Sequence, residues 1–214
     1  MDDNVIREQL AEIATELYLA GVITATGGNI SARSLEHKNG LWITPSSISK
    51  GSLTPDDMTL IDVDGKILAG KYPPSIEVGF HAGVMRARPD INALVHSHPP
   101  YAIVWGLGEL PIPPITYDAI LVAQLPFINW HMVGSTQLAG AVIETVGAGK
   151  PRGAFLRNHG LVTVGKDLRH AADITLMVEH TLKVLHLARQ AGIPPAELDQ
   201  GSIDRILQLA ATRE

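Results

Sequence analysis

The 214-residue sequence contains no cysteine, and aromatic residues make up only 5% of it. The absence of cysteine excludes a disulfide-stabilised scaffold, a thiolate metal site and a cysteine nucleophile. Positive charge is also scarce, because 17 Lys and Arg residues face 22 Asp and Glu residues, for a formal net charge of −5. Since there is no basic run either, nucleic acid is not an expected partner.

Long apolar runs are missing as well. No stretch reaches the length of about 18 residues that would predict a membrane-spanning helix, so a membrane is not an expected partner. The first residues, Asp2, Asp3 and Asn4, are acidic and polar, and they predict no secretory signal. We therefore expect a cytoplasmic protein. The length suits a single domain over residues 1–214 and is short for two.

The spacing of the apolar residues predicts an alternation of helices and strands. Helical spacing occurs at 4–20, 76–88, 137–146, 168–190 and 195–211, and strand patterns occur at 41–44, 60–63, 66–68, 91–98, 153–158 and 161–164. Segment 99–135 is rich in Pro and Gly, and we predict an irregular course there with short strands near 115–117 and 126–130. Together with a hairpin signal at Asp64 and Gly65, the pattern predicts an α/β fold with a central mixed, largely antiparallel β-sheet flanked by helices.

Two histidines stand two positions apart in segment 93–100, which reads ALVHSHPP. Residues i and i+2 of a strand point to the same face, so His96 and His98 would project together. Adjacent buried imidazoles need partners for their ring nitrogens, and a divalent metal ion satisfies both. His159 offers a third ligand. Two such histidines can also be buried structural residues whose ring nitrogens are hydrogen-bonded, so the pair alone does not establish a metal site.

Glu77 lies at the start of the helix predicted at 76–88. A carboxylate in that position commonly interacts with the helix dipole. Beside a metal ion it would instead act as a general base or a displaceable ligand. His81 follows one helical turn later on the same face. It either orients Glu77 or packs in the core, and we favour packing.

The segment 26–29, with the sequence TGGN, is either an ordinary turn or an anion-binding nest. In a nest, backbone N–H groups near Gly28 and the side-chain amide of Asn29 would face a phosphate or carboxylate. The hydroxyls of Ser46, Ser47 and Ser75 could donate to the same anion, although each serine also fits a loop or cap position. The spacing of a nucleotide-binding loop is absent, so nucleotide binding finds no support.

Five segments occur in order along the chain: TGGNISAR at 26–33, ITPSS at 43–47, PSIE at 74–77, VHSH at 95–98 and NHG at 158–160. Together they resemble the class II aldolase/adducin-head family, which includes sugar-phosphate aldolases and an epimerase. The resemblance covers nearly the whole chain. It implies a central antiparallel sheet between helix layers, a small-molecule substrate, and a homotetramer with sites between subunits.

The resemblance also implies a role for each matching residue of the metal half of the site. His96, His98 and His159 correspond to the metal ligands, with one divalent ion in each subunit, Zn²⁺ ahead of Mn²⁺, Co²⁺ or Fe²⁺. Glu77 corresponds to the catalytic acid/base. Tyr117 lies nineteen residues after His98, where some relatives have a tyrosine that reaches a neighbouring subunit's site. Tyr117 could equally be an ordinary strand tyrosine.

For the anion half of the site, Gly28 and Asn29 correspond to the phosphate loop, and Ser46 and Ser75 to further phosphate-binding positions. Two neighbouring positions depart from the family pattern. Ser47 stands where the family usually has Gly, and Ile76 stands where a second hydroxyl residue is usual. Both departures lie among the anion-binding positions and leave the metal-binding residues unchanged. A carboxylate or a smaller anion could therefore bind in place of phosphate.

The residues and the resemblance together predict a metal-dependent lyase. The leading hypothesis is an aldolase that forms or breaks a carbon–carbon bond in a small sugar phosphate or related hydroxy-keto compound through a metal-stabilised enediolate. The second hypothesis is a decarboxylase of an oxo- or hydroxy-acid, such as a sugar-acid phosphate or an aromatic acid. Epimerisation shares the first step. A non-catalytic adducin-like domain would have no reason to keep three histidines and the carboxylate.

Overall fold

The computed structural model describes residues 2–149 and 151–212. Within these ranges helices and strands are mixed along the chain. The helices are α1 (Asp3–Leu19), α2 (Val78–Ala87), α3 (Pro100–Gly108), α4 (Tyr117–Val122), α5 (Thr136–Val142), α6 (Leu168–Gln190) and α7 (Gln200–Thr212). The strands are β1 (Asn29–Arg33), β2 (Gly40–Ile43), β3 (Thr59–Asp62), β4 (Ile67–Ala69), β5 (Ala93–Ser97), β6 (Phe127–Ile128), β7 (Gly153–Leu156) and β8 (Gly160–Gly165). None of the helices in these ranges has the length and apolar character needed to cross a membrane.

The eight strands form one sheet in the order β4-β3-β2-β1-β5-β8-β7-β6. Every neighbouring pair is antiparallel except β6 and β7, which are parallel. The predicted α/β fold with a mixed, largely antiparallel sheet is therefore confirmed. The register places His96 of β5 opposite Asn29 of β1 on one side and opposite Val162 of β8 on the other. The histidine strand thus lies in the middle of the sheet.

Both faces of the central strands are covered by helices. Along β5, Val95 packs with Leu17 of α1 and its neighbours, whereas Leu94 packs on the opposite face with Phe80 of α2. This alternation follows from the two-residue period of a strand. Each large apolar side chain buried in this way contributes roughly 1.5–3 kcal/mol. Because neither face of β5 is open to solvent, the histidines at its carboxyl end are held by a firmly packed support.

Segment 99–135 is more regular than the sequence predicted. The prediction of an irregular course was wrong for α3, which begins directly after Pro99 because proline is tolerated in the first turn of a helix. The predicted strand near 115–117 was also wrong. Thr116 instead caps α4 by accepting a hydrogen bond from the backbone N–H of Ala119 at 3.1 Å. The predicted strand at 126–130 is confirmed as the short strand β6.

Strand β1 was not predicted from the sequence. The two glycines before it and the asparagine at its start favour a turn over its first residues. In the structure Ile30 and Ala32 enter the core beneath α1, so tertiary packing outweighs the local turn preference. Helix α2 begins slightly later than predicted, at Val78, which leaves Glu77 at the N-cap position.

Candidate active site

A cavity of about 560 Å³ lies at the carboxyl end of β5. Three loop segments, 26–29, 45–47 and 75–77, form one part of its wall. His98 and His159 form another part, and the apolar side chains that complete the wall are Ile76, Ile103 and Val133. The cavity therefore brings together the segments that the sequence marks as metal-binding and those that it marks as anion-binding.

The three predicted histidine ligands meet at one point. The Nε2 atoms of His96 and His98 lie 3.1 Å apart, and the ring of His159 lies 4.7 Å from that of His96 between centroids. One ring nitrogen from each residue falls within 4.8 Å of the others. His96 belongs to β5, His98 follows it directly, and His159 comes from the turn between β7 and β8, so the sheet order brings them together.

Local hydrogen bonds and backbone conformation position each imidazole ring. The Nδ1–H of His96 donates to the carbonyl of Leu161 at 3.0 Å, which directs Nε2 towards the cluster. The backbone N–H of His98 donates to the carbonyl of Val22 at 2.8 Å. His159 follows Asn158, whose φ of +57° is a left-handed conformation that asparagine adopts more readily than most residues.

Glu77 faces the histidine cluster and is 5% exposed. Its Oε2 lies 3.2 Å from Nε2 of His96, and its Oε1 lies 3.6 Å from Nε2 of His159. Burial acts to raise the pKa of Glu77, but His96, Asn29 and His159 together outweigh it and hold the pKa at about 2. The side chain is therefore a carboxylate near neutral pH and can act as a base.

The other two imidazoles of the cluster are neutral near pH 7. Burial, together with the nearby ring of His96, lowers the pKa of His98 to about 3 and that of His159 to about 4. A neutral imidazole has a free lone pair, which a metal ion requires of its ligand.

The donor set fits a divalent metal ion. Three imidazoles converge, and in the described part of the chain the Oε1 atom of buried Glu77 accepts no hydrogen bond. Such a group of buried polar atoms is costly unless a further partner satisfies it. Imidazole nitrogens with one carboxylate oxygen are ligands that Zn²⁺ and similar ions accept.

A chain of buried hydrogen bonds links Glu77 to side chains outside the histidine cluster. The amide nitrogen of Asn29 donates to Oε2 of Glu77 at 2.9 Å, so the amide oxygen must accept from Nε2–H of His81, which lies 2.5 Å away. Nδ1 of His81 then accepts from the hydroxyl of Ser31 at 2.7 Å. Burial lowers the pKa of His81 to about 3, consistent with a neutral ring.

This chain refines two assignments that rested on the sequence. Asn29 was predicted to face the anion, but in the structure one of its N–H groups is committed to Glu77, and the residue also lines the cavity. His81 was interpreted mainly as a packing residue, yet it reaches Glu77 through Asn29. The one-turn spacing of His81 and Glu77 raised an orienting role, but the route through Asn29 has no sequence signal, because it depends on the pairing of β1 with β5.

The predicted anion-binding residues Gly28, Ser46, Ser47 and Ser75 all line the cavity. Gly28 has a φ of +86°, and a Cβ atom there would come within 3.0 Å of the carbonyl oxygen of His96, so only glycine fits. Ser47 has a φ of +60°, which explains why glycine suits this position and means that serine adopts it under strain. The hydroxyl of Ser75 accepts from the backbone N–H of Glu77 at 3.3 Å.

Sequence reasoning missed Lys50, which lines the cavity with these serines and is only 1% exposed. A lysine in a polar loop usually lies in solvent, so nothing in the sequence singled it out. Its burial depends on the packing of its turn, Lys50–Ser52, against α1, where Tyr18 lies beside Gly51.

Tyr117 does not line the cavity. It begins α4, is 39% exposed, and is absent from the wall formed by the described residues of this chain. A catalytic contribution from Tyr117 therefore requires another subunit. Ile76, the second departure from the family pattern, is 64% exposed at the cavity edge and places an apolar group where a hydroxyl is usual.

Proteins of known sequence are similar to this chain over most of its length. A family model described as Class II Aldolase and Adducin N-terminal domain matches residues 8–186. An L-fuculose phosphate aldolase of Methanococcus maripaludis is 29% identical over 180 residues, which cover 84% of this chain and 95% of that protein. A 5-deoxy-D-ribulose 1-phosphate aldolase of Bacillus thuringiensis serovar kurstaki is 30% identical over 190 residues, 88% of this chain and 87% of that protein.

Solved structures are similar to this fold over nearly its whole length. An L-fuculose 1-phosphate aldolase superimposes with a TM-score of 0.82 at 27% identity, covering 96% of this chain and 95% of its own. YgbL from Escherichia coli, described as a putative aldolase/epimerase/decarboxylase, gives a TM-score of 0.85 at 26% identity and covers 95% of this chain and 98% of its own. The family match spans every candidate site residue from Gly28 to His159.

Proposed function

Because the chain belongs to the class II aldolase and adducin N-terminal domain family, we propose that it is a metal-dependent aldolase acting on a small sugar phosphate. Its named relatives are aldolases, which are lyases. One observation carries the proposal. Three imidazoles converge beside a buried carboxylate, and the cavity that His98, His159 and Glu77 line is also lined by serine residues.

The three histidines would hold one divalent ion, for which Zn²⁺ is the first choice, ahead of Mn²⁺, Co²⁺ or Fe²⁺. An ion bound there supplies Lewis-acid stabilisation of the negative charge that develops on the substrate's enediolate oxygens. Neutral imidazoles leave the ion its full double charge, which suits an anionic reaction path.

Glu77 is the proposed acid/base. In the direction of bond formation its carboxylate removes a proton from the substrate carbon, and in the direction of cleavage it returns that proton. The hydrogen bond from Asn29 to Oε2 restrains the carboxylate of Glu77, which lines the cavity. Gly28 and the hydroxyls of Ser46, Ser47 and Ser75 are proposed to bind the substrate's phosphate.

We expect a homotetramer with the site completed at a subunit interface. Tyr117 supports this arrangement, because it is exposed and stands outside the cavity of its own chain. From a neighbouring subunit its phenol would exchange the proton of the aldehyde oxygen. Light scattering of the purified protein tests the assembly. Fully active monomers would remove this role for Tyr117.

A panel of ketose 1-phosphates and their unphosphorylated counterparts tests the function directly. We expect cleavage of a phosphorylated ketose, detected as dihydroxyacetone phosphate by a coupled reductase and as aldehyde by a separate assay. The protein should be purified without chelator, and its metal identified beforehand. Absence of cleavage across the panel by metal-loaded protein would contradict the proposal.

A decarboxylase is the second candidate, and the residues of the anion pocket are the observation that favours it. Ser47 and Ile76 both change that pocket and leave the histidine cluster intact. An oxo- or hydroxy-acid could place its carboxylate differently in such a pocket while using the same metal chemistry. Carbon dioxide release from sugar acids or aromatic acids, without aldehyde, would replace the aldolase assignment with this one.

A further inference from the structure

Lys50 joins two of the loops that form the anion pocket. Its ammonium donates to the carbonyl of Pro45 at 2.9 Å and to that of Ile48 at 3.1 Å. Its backbone N–H donates to the carbonyl of Ala25 at 2.8 Å, in the loop that leads to Gly28. Lys50 is the single lysine or arginine among the described residues that line the cavity.

The charge of Lys50 lacks a counter-charge within residues 2–149 and 151–212. Burial is the sole cause that lowers the pKa of Lys50 to about 8, with no contribution from a carboxylate. An ammonium group has three N–H donors. Two serve the carbonyls, and the third has no acceptor in the described part of the chain. Other basic groups, such as Arg169, pair with an acidic side chain.

A buried ammonium without a counter-ion is unfavourable unless a ligand supplies the missing charge. The rest of the pocket cannot balance a phosphate, because serine hydroxyls and backbone N–H groups donate hydrogen bonds but carry no net charge. Among the described residues that line the pocket, Lys50 is therefore the one Lys or Arg that can offer a positive charge to an anion.

We propose that Lys50 is the cationic residue of the anion pocket and makes the site selective for a phosphorylated substrate over its neutral counterpart. The inference deepens the proposed function and rests on it. A purely structural lysine that only ties the loop to Pro45 and Ile48 is the competing explanation. The two differ in whether the charge itself matters to an anion.

Calorimetric titration with inorganic phosphate separates them in the absence of turnover. Lys50→Met keeps the length of the side chain and removes its charge, whereas Lys50→Arg keeps the charge. A charge-assisted hydrogen bond in a buried site corresponds to about 10- to 100-fold in affinity. We expect that loss in Lys50→Met and a much smaller one in Lys50→Arg. Lys38→Met, in the exposed turn between β1 and β2, is the matched control and should bind as wild type.

The pH dependence of wild-type binding gives a second measurement if Lys50→Met does not fold. Phosphate is a dianion above about pH 7, so a fall in affinity between about pH 7.5 and 10 reports on the protein. We expect a fall of about tenfold as Lys50 loses its proton. The other ionisable groups on the cavity wall, Glu77, His98 and His159, have pKa values of about 2, 3 and 4 and do not titrate in this range.

Tyr18 of α1 lies beside the same turn, so Tyr18→Phe serves as the control and should keep the pH step. Phosphate affinity that stays within twofold in folded Lys50→Met, or that is independent of pH in the wild type, would overturn the proposal. Normal phosphate binding without aldol cleavage would instead count against the proposed function and leave Lys50 in place. The binding assay therefore tests the role of Lys50, and the turnover assay tests the proposed function independently.

Discussion

The two ends of the cavity are built differently. At the metal end, His96 and Asn29 are paired across the central strands, and Glu77 is hydrogen-bonded to Asn29 in a buried chain. At the anion end, the residues lie on loops, and within residues 2–149 and 151–212 the hydroxyls of Ser46 and Ser47 bond only to each other, at a long 3.4 Å. The proposed metal-binding residues thus rest largely on the central strands and their hydrogen bonds, whereas the proposed anion-binding residues lie on loops.

This contrast predicts a division of kinetic effects. Changes at the metal end should lower kcat, because they touch groups that act in the transition state, and changes at the anion end should mainly raise KM. A variant at the metal end that mainly raises KM, or a variant at the anion end that lowers kcat, would show that the two ends are coupled.

The largest effect is expected from removal of the metal. Dialysis against a chelator should abolish turnover, since the stabilisation of the developing charge is lost entirely. It should also lower the melting temperature, because an ion that binds only the folded chain stabilises it. Adding back one equivalent of Zn²⁺ or another divalent ion should restore both. Unchanged turnover in protein shown by elemental analysis to be metal-free would refute the metal-dependent reaction.

Glu77→Gln should lower kcat by about 10²- to 10⁴-fold, the usual contribution of a positioned acid/base. The amide has nearly the same shape, so the metal content measured by elemental analysis should stay near one ion per chain. Glu144→Gln, at an exposed position after α5, is the control and should turn over normally. Wild-type turnover in Glu77→Gln would exclude the assigned role.

His81→Leu should lower kcat by about 10- to 100-fold, as is typical when a group that orients an active-site residue is lost. Leucine fills the space but cannot donate to Asn29, so the carboxylate of Glu77 loses its restraint. His81→Gln can still donate and should recover part of the rate. Equal kcat values in the two variants, with equal melting temperatures, would reduce His81 to a packing residue.

Ser47→Gly should have the smallest effect of these variants, and this effect should be limited to the anion end. Glycine relieves the left-handed strain of Ser47, so the free energy of unfolding in urea should rise by up to about 1 kcal/mol. We expect kcat to stay within twofold and KM to change by less than about fivefold. Ser46→Gly provides the contrast and should lower stability, because Ser46 has no positive φ to relieve. A drop in kcat for Ser47→Gly would break the division between the two ends.

The metal end was easier to predict from the sequence than the anion end, and the reason is physical. The spacing of His96 and His98 on a strand determines their common direction, so their meeting required no knowledge of the tertiary fold. The hydrogen bond from Asn29 to Glu77 was not predicted, because it depends on which strand lies beside β5. Lys50 was missed altogether, because the burial of a loop lysine is decided by the packing of α1, which lies far away in sequence.

The same distinction explains the errors in the secondary structure. Helices with a long apolar period, such as α1 and α6, were predicted nearly to the residue. The short helices α3 and α4 were missed because prolines on either side of them favour an irregular interpretation. They become helical by packing against the apolar face of α6 and β7, a contribution that no local window contains.

The order of the strands has a consequence for biosynthesis. Residues 96 and 98 are paired with residue 159 only after β8 has docked beside β5, more than sixty residues later in the chain. A chain that ends before residue 159 therefore lacks one of the three proposed ligands, and a divalent ion would find the complete set only after β8 has docked. If the ion were scarce, newly made chains would therefore have a shorter lifetime. This effect would come before any change in the catalytic constants of mature chains.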